Sequence, residues 1–237
     1  MSGHSRWSNI KRTKEKSDAQ KGKIFTKLGR ELAVAVKNGG ADPESNGKLK
    51  DAIAKAKASN MPNDSIQRAL KKASGELSDV TFEDIMYEGY GIGGVAVMVK
   101  CLTDNKNRTA GDVRHAFDKF GGSLGSNGCV SYLFTEKGII LVDIKEDFEK
   151  IFELALDLGA EDIENDEDYI RITTTPNTVF DIAQKLINAK VNVLSSAKEL
   201  VSSTYISLDE DKSKTFEKMI DMLEDLDDVQ EVVHNAE

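Results

Sequence analysis

Three groups of residues in this chain have the types and spacing to do chemistry. Gly89, Gly91 and Gly94 in GYGIGG fit G-x-G-x-x-G, the spacing that lets a loop's amides close on a pyrophosphate. Such a loop must open a helix. Here the glycines run instead into the apolar, β-rich segment VAVMV, so the spacing predicts a tight hairpin or bulge. The Lys, H-R-D and D-F-G sets that accompany a kinase-type glycine loop are missing from the sequence. The second stretch, FGGSLGSNGC from Phe120 to Cys129, reads as a flexible turn that frees backbone amides.

Acid–base and metal chemistry find no partners either. His4, His115 and His234 lie in unrelated segments, and His115, on a helix beside Arg108 and Arg114, reads as a surface or interdomain residue. The carboxylates of EDIENDEDY, Glu161 to Tyr169, have no neighbouring histidine and read as a solvated face. Cys101 and Cys129 sit in apolar runs with no Cys or His at a ligand spacing, and are expected to be buried, reduced thiols. The sequence therefore implies no reaction, no cofactor and no metal, and the chain is expected not to be an enzyme, an acidic-pocket enzyme with an unrecognised site being the remote alternative.

What remains is charge. The formal net charge of −9 is unevenly divided: residues 1–75 hold 17 Lys and Arg against 7 Asp and Glu, and the rest is strongly acidic. The density peaks at Arg6, Lys11, Arg12, Lys14, Lys16, Lys21, Lys23, Lys27 and Arg30, and Lys55, Lys57, Arg68, Lys71 and Lys72 extend it. A basic head on an acidic body points to a polyanion, because each cation that neutralises a phosphate releases a condensed counterion. Trp7, the sole tryptophan, lies among these charges, where it either packs back on the head or stacks on a base. The acidic body would recruit a protein partner or limit promiscuous binding.

The elements that must carry these charges are legible from periodicity. Ile24, Phe25, Leu28, Leu32 and Val36 recur at helical spacing up to the stop Asn38-Gly39-Gly40. Asp42-Pro43 then reads as the N-cap of a second helix with Leu49, Ala52, Ile53 and Ala56 inward, and Pro62 opens a third with Ile66, Ala69, Leu70 and Ala73 inward. The segment before Lys21 has no apolar stripe and is expected to be a mobile arm that orders on its partner.

Beyond the head, strands alternate with helices. Gly94–Leu102 reads as a strand, Thr109 as the cap of a helix with Asp112 three residues on, and Cys129–Phe134 as a returning strand. From Lys137 the order is βαββαβ, that of a ferredoxin-like unit. A final β-α-β begins at Tyr205–Leu208, continues through Phe216, Met219, Ile220 and Leu223, and ends near Val229–Val233. The expected fold is α+β. A three-helix basic domain (1–78) precedes a discontinuous ferredoxin-like domain (79–135 plus 204–237), into which a second one (136–203) is inserted. The 39% hydrophobic and 31% charged fractions suit folded domains, and no stretch approaches the length of a membrane span, so a cytoplasmic protein without membrane contact is expected.

The segments HSRWSNIK, GKIFTKLGREL, NMPNDSIQRAL, YEGYG, LTDNKNRT, VRHAF and GGSLG, in this order along essentially the whole chain, resemble the YebC family. Arg6 stands where family members often carry Lys, and Ile92 where Pro is common; charge and turn character are kept. The resemblance implies a helical head followed by two α/β domains. It also implies a DNA-binding regulator of transcription, or alternatively a translation factor on ribosomal RNA, since mitochondrial relatives are translational activators. YEGYG and TDNKNRT are expected on turns that contact a partner, through Tyr87, Tyr90, Asn105, Arg108 and Arg114.

Overall fold

A computed structural model describes the backbone of residues 18–74 and 82–237, and the side chains of 22–57, 59–74 and 82–237. Its class is α+β, with helices preceding two four-stranded antiparallel sheets. The chain forms two compact units. One is Tyr132–Thr204; the other combines the described residues up to Ser131 with Tyr205–Glu237.

The larger unit begins with α1 (Asp18–Gly39), α2 (Gly47–Ala58) and α3 (Asn63–Ser74). Leu28, Leu32, Ala35 and Val36 of α1, Leu49, Ala52 and Ala56 of α2 and Ile66 of α3 form a core of their own. α1 ends where Gly40, at φ +85°, donates its N–H to the Val36 carbonyl at 2.8 Å. The N-cap of α2 is Asn46, not Asp42, because the Asp42 carbonyl and carboxylate are used in a turn over Glu44–Asn46. Asn46 is buried: its Oδ1 accepts from the Leu49 amide at 3.1 Å, while its Nδ2 donates to the Ala35 and Gly40 carbonyls at 2.7 and 2.8 Å. One side chain thus caps α2 and closes the end of α1.

The remainder of this unit is a sheet in the order β3-β1-β2-β8, from β1 (Glu83–Tyr90), β2 (Ala96–Thr103), β3 (Ser123–Leu124) and β8 (Val229–His234). A 3-10 turn, Ile92–Gly94, joins β1 to β2, with Gly93 and Gly94 at φ +75° and +81°. α4 (Lys106–Lys119) and α7 (Glu210–Asp225) pack on it through Val113, Phe117, Phe216, Met219 and Leu223 against Val97 and Val99. β1 occupies the position between β2 and β3 that the third strand takes in a ferredoxin-like sheet.

Three expectations for this region are corrected. Cys129–Phe134 is not a strand: Ser131–Leu133 is a 3-10 turn, and Phe134 starts β4 (Phe134–Asp143) of the other sheet. Tyr205–Leu208 contributes only an isolated bridge from Ile206 to Ala236. Asn105, not Thr109, caps α4, accepting from the Arg108 amide at 3.1 Å.

The smaller unit runs β4, α5 (Phe148–Asp157), β5 (Asp162–Asn165), β6 (Tyr169–Thr174), α6 (Val179–Asn188) and β7 (Val193–Ser202). Its strand order β5-β6-β4-β7 is that of a ferredoxin-like fold, and its helices cover one sheet face through Ile151, Ala155, Ile182 and Leu186 on Ile140, Val142 and Ile172. Among the described residues no helix is long and apolar enough to cross a membrane.

Candidate nucleic-acid interface

The basic residues divide by what they touch. Arg6, Trp7, Lys11, Arg12, Lys14 and Lys16 lie outside the described residues, as does the Lys21 side chain, although its backbone is part of α1. Helix α1 therefore starts three residues earlier than Lys21, within the segment read as an arm. Lys48, Lys50, Lys57, Lys71 and Lys72 are exposed and make no ion pair among the described residues. Arg68 is also exposed, its guanidinium hydrogen-bonded, among the described residues, within its own helix to the Asp64 carbonyl and the Ser65 hydroxyl. Lys55 is half-buried and paired with Glu31 at 3.0 Å.

Three further head cations, Lys23, Lys27 and Arg30, face the end of α7. Lys23 pairs with Asp225 at 3.2 Å, and the Lys27 ammonium donates to the Glu224 carbonyl. Arg30 donates through Nη1 to the Asp227 carbonyl and to Asp228 Oδ1, both at 2.9 Å, with its guanidinium 5.7 Å from the centre of the Phe82 ring. Carbonyls at a helix C-terminus carry the negative end of the helix dipole, so this turn attracts cations through backbone and side chain together.

Asp228 is a buried junction. Its Oδ2 accepts from Arg108 Nη2 at 2.7 Å, with the Thr109 and Thr103 hydroxyls at 2.8 and 3.2 Å. Burial alone would raise this carboxyl, but hydrogen bonds from Arg108, Thr109 and Thr103 and the Arg108 charge hold it below the ordinary aspartate value. Arg108 also pairs with Asp104 at 2.7 Å, and Asn105 donates its N–H to the Thr103 hydroxyl at 2.9 Å. The TDNKNRT segment thus builds this junction. Periodicity offers no route to Asp228; one aspartate in the acidic run EDLDD before a terminal strand carries no signal of partners more than a hundred residues away.

YEGYG likewise makes contacts within the chain, with Glu88 and Gly89 buried and Tyr90 exposed. It is the end of β1 and not a turn, and buried Glu88 accepts from the amides of Gly128 at 2.8 Å and of Val130 and Ser131 at 2.9 Å. Burial alone would raise the Glu88 carboxyl, but these amides and the Ser131 hydroxyl hold it below its ordinary value. Tyr90 donates its hydroxyl to the Cys129 carbonyl at 2.9 Å, and Tyr87 donates to the Lys106 carbonyl at 3.2 Å. The backbone amides freed by the second glycine stretch therefore meet a carboxylate of the same chain. Arg114 and His115 stay exposed on α4. Cys101 is buried, and burial together with the Asp228 charge pushes its thiol up to about 12 against the opposing charge of Lys27. Cys129 is only half-buried, short of the expected burial.

Comparison with known proteins places this arrangement. Residues 5–76 match the N-terminal domain of TACO1/YebC proteins, and residues 82–236 match the second and third domains of the same proteins. A probable transcriptional regulatory protein of Clostridium beijerinckii is 52% identical over 238 residues, covering 100% of this chain and 97% of that relative. One of the same description from Acetivibrio thermocellus is 53% identical over 240 residues, covering 99% and 98%. The crystal structure of a conserved hypothetical protein, Aq1575, from Aquifex aeolicus is similar with a TM-score of 0.81 and 44% identity, over 94% of this chain and 93% of that one. With both domain models matched in order and relatives aligned end to end, the chain belongs to the TACO1/YebC family.

Proposed function

We propose that this protein is a regulator of transcription that binds DNA through its basic head, residues 1–78, with the acidic body recruiting a protein partner. The observation that carries the reading is the set of cations the fold leaves in solvent, Lys48, Lys50, Lys57, Arg68, Lys71 and Lys72, in the same basic head of the sequence that holds the run from Arg6 to Lys21. Lysine at phosphate distance needs reach and charge more than fixed geometry, and such contacts supply affinity without sequence readout. The names of the relatives support the regulatory role.

A second reading, a translation factor on ribosomal RNA, draws on one observation. Arg68, Lys71 and Lys72 share a helix of 12 residues, and the head carries no helix-turn-helix sequence to read bases, so its phosphate contacts suit folded RNA as well as duplex. Replacing Lys11, Arg12, Lys14 and Lys16 together with alanine is expected to weaken binding to duplex DNA and to flatten its dependence on salt. Unchanged binding by the folded variant would refute the head as the contact. In lysate, nuclease-sensitive co-sedimentation with ribosomes that this variant loses would select the RNA reading; promoter DNA recovered on crosslinking would select the first.

A further inference from the structure

We propose that the turn Glu224–Asp228 is a built-in competitor for the head's own phosphate-binding face, so that Lys23, Lys27 and Arg30 engage a nucleic acid only after leaving it. The inference rests on the reading of the head as a nucleic-acid-binding domain.

The turn offers these three cations two carboxylates and two carbonyl oxygens, an oxygen set like that of a run of phosphates. The outermost contact is of a kind that gives way. The Lys23 and Asp225 side chains are 48% and 65% exposed, and exposed ion pairs contribute little and are screened by salt. The head's apolar core is also a cluster separate from that of the sheet it faces.

Asp228 shows why opening leaves no orphan. Its Oδ1 holds Arg30, but its Oδ2 remains bonded to Arg108 and Thr109 when Arg30 departs, so no buried charge is stranded on the body. The departing guanidinium is already 25% exposed and regains water or phosphate. Three cations held by one turn also set the chemistry of the competitor. An isolated phosphate can replace one contact at a time, whereas a polyphosphate backbone replaces all three and releases counterions as it does so.

The test links Lys23→Cys to Asp225→Cys with a short bismaleimide in a full-length Cys129→Ser chain, and compares it with the same chain capped by N-ethylmaleimide. Binding of a fluorescent duplex DNA and of a structured RNA is followed by polarisation between about 50 and 200 mM salt. The linked chain is expected to bind about tenfold or more weakly, with a salt slope smaller by roughly two, for the two remaining cations withheld. Equal or tighter binding by the linked chain would overturn the competition while leaving the head as the binding domain. If neither capped nor unmodified protein binds either probe, both the competition and the reading beneath it fall.

Discussion

Glu88→Gln tests whether one carboxylate fixes the glycine-rich loop. Glu88 receives three amide hydrogen bonds on two oxygens, Gly128 on Oε1 and Val130 and Ser131 on Oε2. A glutamine has one acceptor oxygen. Turned toward Val130 and Ser131, it keeps two bonds but loses the charge that strengthens each, about 1 kcal/mol apiece. Its NH2 then faces the Gly128 N–H, a lost bond worth about 1–3 kcal/mol, toward the low end because Gly128 itself is exposed to water. The expected loss is about 3–4 kcal/mol at neutral pH. For an m-value of about 2–3 kcal/mol/M this moves the urea midpoint of the unit down by about 1–2 M. Hydrogen exchange at Gly128, Val130 and Ser131 should accelerate beyond the global change. The sign with pH is fixed by the depressed carboxyl: its stabilisation is complete above the unfolded glutamate pKa and is lost as pH falls through the lower folded value. Wild type and variant should therefore differ most at neutral pH and converge in acid. A midpoint shift below about 0.3 M at pH 7, or a gap that persists in acid, would refute the role assigned to Glu88.

Other substitutions read the packing behind the same motif. A Cβ at Gly89 would stand 2.5 Å from the Ser123 carbonyl oxygen and 2.9 Å from the Phe117 ring, so Gly89→Ala is expected to cost about 1–3 kcal/mol in urea unfolding. An alanine within 0.5 kcal/mol, about the scatter of neutral surface changes, would show that the β1–β3 pairing yields easily. The Cys101 thiol, buried and pushed up to about 12, should resist a thiol reagent at pH 8 in the native protein and react on unfolding in urea. Stoichiometric labelling of Cys101 in the folded state would contradict its burial within β2.

Elements with a continuous apolar stripe were legible, and those fixed by distant partners were not. The stripe of Leu28, Leu32 and Val36 gave α1, and the order from β4 to β7 gave the smaller unit, because local periodicity and burial agree there. The α2 cap was misplaced because Asp42-Pro43 and Asn46 offer equal local capping chemistry. The choice falls to Asn46 through its reach to the Ala35 and Gly40 carbonyls. β1 went unread because EDIMYEGY alternates weakly and ends among glycines. VSYLF is apolar enough for a strand, yet Glu88 draws its first amides into a turn from more than forty positions upstream. Arg30 and Asp228 are 198 positions apart, and no pattern in one segment announces the other.

The conspicuous motifs build two buried carboxylate sites while leaving Tyr90, Asn105 and Arg108 exposed, and the lysines of the head meet a looser demand, for a physical reason. TDNKNRT and YEGYG hold their residue types because a buried carboxylate needs donors at fixed geometry: Arg108, Thr103 and Thr109 around Asp228, and three amides around Glu88. Exchange of Arg108, Thr103, Thr109 or Glu88 leaves a polar group short of a partner, whereas the three amides are backbone and survive a change of side chain. Phosphate contact imposes no such geometry on lysine, whose flexible stem reaches an anion from many positions, and Lys48, Lys50, Lys57, Lys71 and Lys72 accordingly form no pattern beyond their shared sign. Arg30 belongs to both classes. Its planar fork is held at fixed distance by Asp228, as a structural residue is, yet it lies on the basic face that the charge distribution assigns to a polyanion. That double membership makes its contact with Asp228 the point at which the architecture of the body and the binding of the head are in direct competition.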